Sequence, residues 1–107
     1  MLTVNTYLDK SPIHGIGLFE AEFIPAGTIT WKFAPGLDIV LEDDFIEKLS
    51  PFQRQIVDHF AYRDRAHGKF LLPADNDRFT NFSKNPNVGE AKAVNGTPAN
   101  MIALRDI

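Results

Sequence analysis

Leu2, Val4, Thr6 and Leu8 alternate with Thr3, Asn5, Tyr7 and Asp9. A period of two puts each set on one face of an extended segment, so the chain is predicted to open with a strand. Ser11-Pro12-Ile13-His14-Gly15-Ile16-Gly17 then breaks the pattern with a proline and two glycines, a turn signal. Leu18 to Phe23 is short and apolar and stops at Pro25-Ala26-Gly27; Thr28 to Phe33 is β-branched and aromatic and stops at Pro35-Gly36. The first third therefore predicts strand, turn, strand, turn, strand.

The period changes in the middle. Ser50-Pro51-Phe52-Gln53 is a capping box: Ser50 can accept from an orphan N–H, Gln53 can reach back, and Pro51 suits the first helical position. Phe52, Ile56, Val57 and Phe60 follow at helical spacing and are predicted to form the buried stripe. A shorter helix is predicted from Asp43 or Asp44 to about Leu49, and a short strand over Lys69 to Leu72. Val88 to Val94 and Ala99 to Ile107 flank Asn95-Gly96, a strong hairpin signal. The expectation is an α+β, mainly β fold: short strands at both ends around a helical insert at about 41–66. Strands do not alternate with helices, which argues against a doubly wound parallel sheet.

Composition narrows the chemistry. The chain has 107 residues, 44% hydrophobic and 23% charged, ordinary values for one globular domain. With no cysteine it can carry no disulfide, thiol nucleophile or cysteine-based zinc site. The first ten residues lack the basic start and apolar run of a signal peptide, and no stretch approaches 18 apolar residues. A soluble cytoplasmic location is expected, nuclear if the source is eukaryotic, with no membrane partner. Eleven basic against 14 acidic residues, a net charge of −3, gives no excess with which to displace counterions, so no direct nucleic-acid partner is expected.

Familiar motifs fail when checked against what their chemistry needs. Gly15-Ile16-Gly17 lacks the third glycine of a dinucleotide fingerprint, that position being Glu20, and precedes a predicted strand instead of a helix. Asp75-Asn76-Asp77 is not a calcium loop, because Phe79 and Thr80 stand where an oxygen ligand and a glycine are required. His14, His59 and His67 have no metal-ligand spacing, so no metal is expected. Two features survive. The glycines would let backbone N–H and C=O groups approach a ligand closely. Arg78 to Asn87 holds Asn81, Asn85 and Asn87, whose amides both donate and accept and suit a ligand with amine and carboxylate groups.

Together these two segments resemble a known family. Ser11-Pro12-Ile13-His14-Gly15-Ile16-Gly17-Leu18-Phe19, followed by Ile24-Pro25-Ala26-Gly27-Thr28-Ile29, resembles the opening motif of SET-domain protein lysine methyltransferases. Arg78-Phe79-Thr80-Asn81-Phe82-Ser83 through Pro86-Asn87 is similar to the family's RFxNHSxxPN motif, and Ile102 to Ile107 to the strand that follows it. The resemblance implies a β-clip of small sheets, S-adenosylmethionine as cofactor, and a lysine-containing protein or peptide as substrate. It places the cofactor against His14, Gly15, Ile16, Gly17, Arg78, Phe79, Asn81 and Phe82. The backbone at residues 14 to 17 and the Asn81 amide would meet the methionine end, and the Phe82 backbone the adenine. Tyr62, after the longer helix, is the candidate for a substrate channel.

Three departures shape the functional expectation. Phe82 stands where the family usually has His, and Lys84 replaces a frequent Cys. The family's GEELTxDY-like segment, which carries its active-site tyrosine, has no counterpart among the 107 residues, so the domain is expected to be C-terminally incomplete and no catalytic residue is assigned. Apolar surface left uncovered would favour a homo-oligomer. Two readings stand: an S-adenosylmethionine-dependent protein lysine N-methyltransferase-like domain, or a non-catalytic β-clip binding or structural module.

Overall fold

The structure, a computed structural model, describes residues 1–65, 68–92 and 97–107. Short strands form three small antiparallel sheets. β1 (Thr6–Lys10) pairs with β2 (Ile16–Glu20), with Thr6 opposite Glu20 and Lys10 opposite Ile16. The turn between them is closed by Ser11 N–H donating to the Gly15 carbonyl at 2.8 Å and Ile13 N–H donating to Ser11 Oγ at 3.1 Å. Gly15 sits at φ +49°, a conformation that favours glycine. Tyr7 and Phe19, opposite one another, stack at 5.7 Å between centroids.

The second sheet runs β3 (Ile29–Trp31), β8 (Met101–Ala103), β7 (Val88–Glu90). It pairs Ile29 with Ile102 and Val88 with Ala103, and buries Trp31 and Ala103. The antiparallel β7–β8 pair agrees with the hairpin expectation; the Asn95-Gly96 turn itself lies outside the described residues. The third sheet runs β4 (Ile39–Leu41), β6 (Phe70–Leu72), β5 (Tyr62–Arg63).

Between β4 and β5 the chain makes both helices, α1 (Asp43–Glu47) and α2 (Pro51–Phe60). α2 starts as its sequence predicts: Gln53 N–H donates to Ser50 Oγ at 3.2 Å, and Ser50 N–H donates to Gln53 Oε1 at 3.0 Å. Its apolar stripe is narrower than the spacing suggested. Val57 is buried with Leu41 and Ile46, whereas Phe52 and Ile56 are exposed. The reason is angular: Ile56 lies about 100° and Phe52 about 140° round the helix from Val57, and only Val57's line faces the third sheet. Phe60, half-buried, turns instead to Phe79, edge-on at 5.6 Å.

Asp38 ties distant segments together from a buried position. It accepts from Ala74 N–H at 2.9 Å, from Ala34 N–H at 2.8 Å and from the Met1 ammonium at 2.8 Å. Burial pulls its carboxyl upward, but the Met1 ammonium and the two backbone N–H groups outweigh that and hold it below its ordinary value. The α+β, mainly β architecture expected from the sequence, short strands in small sheets around a helical insert, is the one observed. No helix among the described residues is long and apolar enough to cross a membrane.

Candidate functional site

A cleft of about 290 Å³ opens between the β1–β2 hairpin and the segment from Thr80 to Val88. One wall is Ser11, Pro12 and Ile13 from the turn with Gly17 to Glu20 from β2; the other is Thr80, Asn81, Ser83 and Asn85 to Val88, with Arg105 at its end. The volume sits at the lower end of the ~300–1,000 Å³ usual for small-molecule sites.

One amide joins the walls. Asn81 Nδ2 donates to the His14 carbonyl at 3.1 Å and more loosely to the Ile16 carbonyl at 3.5 Å. With both N–H groups directed at those carbonyls, its Oδ1 is left as an acceptor. Gly17 permits the approach, since a Cβ there would lie 2.9 Å from Ser11 Cβ and 3.2 Å from Asn81 Nδ2. The far end of the second wall is fixed just as locally. Asn85 N–H donates to Ser83 Oγ at 3.1 Å, Arg105 Nη2 to the Asn85 carbonyl at 3.0 Å, and Leu104 N–H to the Asn87 carbonyl at 2.8 Å.

The residues singled out from the sequence fall into three groups. Gly17 and Asn81 line the cleft, and Asn81 reaches the backbone carbonyls of His14 and Ile16, which with Gly15 belong to the turn behind that wall and do not themselves line it. Arg78 and Phe79 lie behind the cleft, in a 3-10 turn (Asn76–Phe79). Arg78 donates to the Pro73 carbonyl at 2.8 Å and lies 5.3 Å from the Phe60 ring centre, so this pair braces the Asn81 segment against the end of α2. Phe82 points its ring outward, 82% exposed, the largest fraction among the big apolar side chains.

Tyr62 lies apart, on β5, half-buried. Its hydroxyl is buried without a hydrogen-bond partner among the described residues. That burial, reinforced by the negative charges of Asp77, Asp64, Glu90 and Asp38, pushes its proton affinity well above the ordinary phenol. Asp77 lines a smaller cavity of about 80 Å³ with Leu2, Val4, Leu18 and Ile24. Burial raises its carboxyl to about 6, against the hydrogen bond from Thr80 that lowers it, and Asp75 adds to the rise.

Asn85 and Asn87, from the amide-rich stretch, line the cleft as well, and so do Glu20 and Arg105. Glu20 and Arg105 carry no sequence signal beyond their charge, because only the pairing of β1 with β2 and of β7 with β8 turns them to one space. Among the described residues no cluster of three or more His, Asp or Glu could hold a metal ion.

No family model and no curated protein sequence matches the chain. Solved structures do. A crystal structure of a candidate histone methyltransferase from Plasmodium falciparum aligns with it at a TM-score of 0.60 and 24% sequence identity, over 99% of this chain and 86% of that one. The likeness is one of fold. At this identity it establishes how the small sheets and the helical insert are arranged; what that protein acts on stays with that protein.

Proposed function

We propose that this chain is a SET-type protein lysine N-methyltransferase-like domain that binds S-adenosylmethionine in the cleft between the Ser11–Gly17 turn and the Thr80–Val88 segment. The observation that carries the reading is the Asn81 amide, which spans the two segments over a glycine that no other residue could replace without a clash. The residues fit the amino-acid end of such a cofactor. Asn81 Oδ1 and the carbonyls of His14 and Ile16, each with a second lone pair, converge as acceptors for an ammonium group. Gly15 and Gly17 keep side chains out of the way, and the Phe82 backbone is the candidate contact for the base. Arg78 and Phe79 act through Asn81, holding its segment against α2.

When bound, S-adenosylmethionine supplies an electrophilic methyl group for a neutral lysine amine. This chain's part is to hold donor and amine in line, a positioning effect that requires little acid–base machinery. Tyr62 is assigned to the wall of the lysine channel. One observation favours a second reading. Neither tyrosine lines the cleft, since Tyr7 stacks on Phe19 and the Tyr62 hydroxyl is buried elsewhere. A β-clip module that binds the ligand without turning it over satisfies that fact equally well.

Thermal unfolding with and without S-adenosylmethionine tests the cleft. Ligand at about a hundred times its Kd adds roughly 2.7 kcal/mol, a rise in Tm on the order of 10 °C for a domain of this size. Asn81→Ala should abolish the shift while leaving a cooperative transition. No shift in the wild type at millimolar ligand would overturn the proposal. Where the shift is present, transfer of labelled methyl to lysine peptides selects the enzyme, and its absence selects the module.

A further inference from the structure

The cleft holds two charges that the Asn81 bridge does not use. Among its lining residues Glu20 is the one acid and Arg105 the one base. Glu20 closes β2, paired with Thr6, and its side chain has no hydrogen-bond or ion-pair partner among the described residues. Arg105 follows β8 and is anchored at one point, the Nη2 donation to the Asn85 carbonyl at 3.0 Å. A guanidinium carries five N–H donors in a rigid fork, so this anchor aims the group and leaves most of it available.

Glu20 and Arg105 share a cleft yet do not pair with each other. Each is carried by a different sheet, β2 in the hairpin and the extension of β8 in the three-stranded sheet. Opposite charges held apart across one cleft complement a ligand with opposite charges at a fixed separation. A ligand with a single charge satisfies one side only, and a neutral ligand neither.

We propose that Arg105 and Glu20 are the specificity-determining residues of the cleft, selecting the zwitterionic amino-acid end of an adenosyl amino acid. Arg105 takes the carboxylate, and Glu20 adds a negative charge to the neutral acceptors around Asn81 that receive the ammonium. This rests on the cofactor reading above and adds to it the groups that recognise the charged end. Asn81 then supplies alignment, and the two charges supply discrimination between charged and uncharged adenosyl compounds. Both side chains are exposed, so each contact is expected to be worth about a two- to fivefold factor in affinity, far below that of a buried pair.

The test is calorimetric titration of the full chain with S-adenosylhomocysteine, with its decarboxylated amine, and with 5′-methylthioadenosine, which lacks both charges. The wild type should bind S-adenosylhomocysteine about two- to fivefold more tightly than the amine. Arg105→Ala should erase that preference by weakening S-adenosylhomocysteine alone, and Glu20→Gln should weaken both amine-bearing ligands and leave 5′-methylthioadenosine unchanged. A wild type that does not distinguish the acid from the amine overturns the inference without recourse to any variant, and so does an Arg105→Ala protein that keeps the preference. In both cases measurable binding leaves the cofactor reading intact. Failure of all three ligands to bind the folded wild type overturns the cofactor reading, and this inference with it.

Discussion

A Cβ on Gly17 would meet Ser11 Cβ at 2.9 Å, closer than such atoms approach without something moving. Gly17→Ala should therefore destabilise the protein by about 1–3 kcal/mol through overpacking, as read from urea denaturation. Ser11→Gly in the same chain removes the obstacle and should recover part of the loss, a coupling that a double-mutant cycle measures directly. Asp77 makes a prediction of opposite character. Its carboxyl is raised to about 6 in the folded protein, first by burial, against about 3.9 in an unfolded chain. The stability its protonated form confers is complete below about pH 3.9 and is lost as pH rises through 6. Asp77→Asn, neutral throughout, should exceed the wild type by on the order of 2 kcal/mol at pH 7.5. At pH 4 it should match the wild type, which denaturation at the two pH values checks.

The elements show where sequence patterns carry and where they stop. The Ser50 cap is legible because it is local: four consecutive residues contain both donors and both acceptors. Ser50→Ala should cost about 1 kcal/mol, visible as a lower Tm. The buried face of α2 was misread because helical spacing marks every apolar position, while the third sheet reaches only Val57 and its neighbours. Val57→Ala should thus cost about 1–3 kcal/mol, and Phe52→Gln, at a side chain 75% exposed, less than about 0.5 kcal/mol. β4 and β5 escaped notice for a related reason. Three residues and two residues are too few to show a period, and both exist because β6 lies between them. In the cleft, Gly17 and Asn81 could be read from their motifs. Glu20 and Arg105 could not, because nothing in the sequence brings position 20 to position 105.

At the scale of the molecule, Asp38 links residues 1, 34 and 74 through one carboxylate. Its lowered folded value means that its contribution is present above about pH 3.9 and lost as pH falls through that lowered value. Asp38→Asn should flatten the acid limb of the stability curve. Asp38→Ala, which leaves two part-buried N–H groups without their acceptor, should cost about 2–3 kcal/mol, lowering the denaturation midpoint for every probe together. The pairing of β3 with β8 reaches further, since Ile29 finds its partner at Ile102. On a ribosome adding about 5–20 residues per second, β3 waits roughly 4–15 s for the strand that completes its sheet. Through that interval Trp31, fully buried in the finished protein, is without the β8 strand that pairs with it at Met101. The nascent chain thus presents an indole to whatever chaperone or neighbouring chain is at hand, and yield on expression should respond to the speed of translation through the last third of the message.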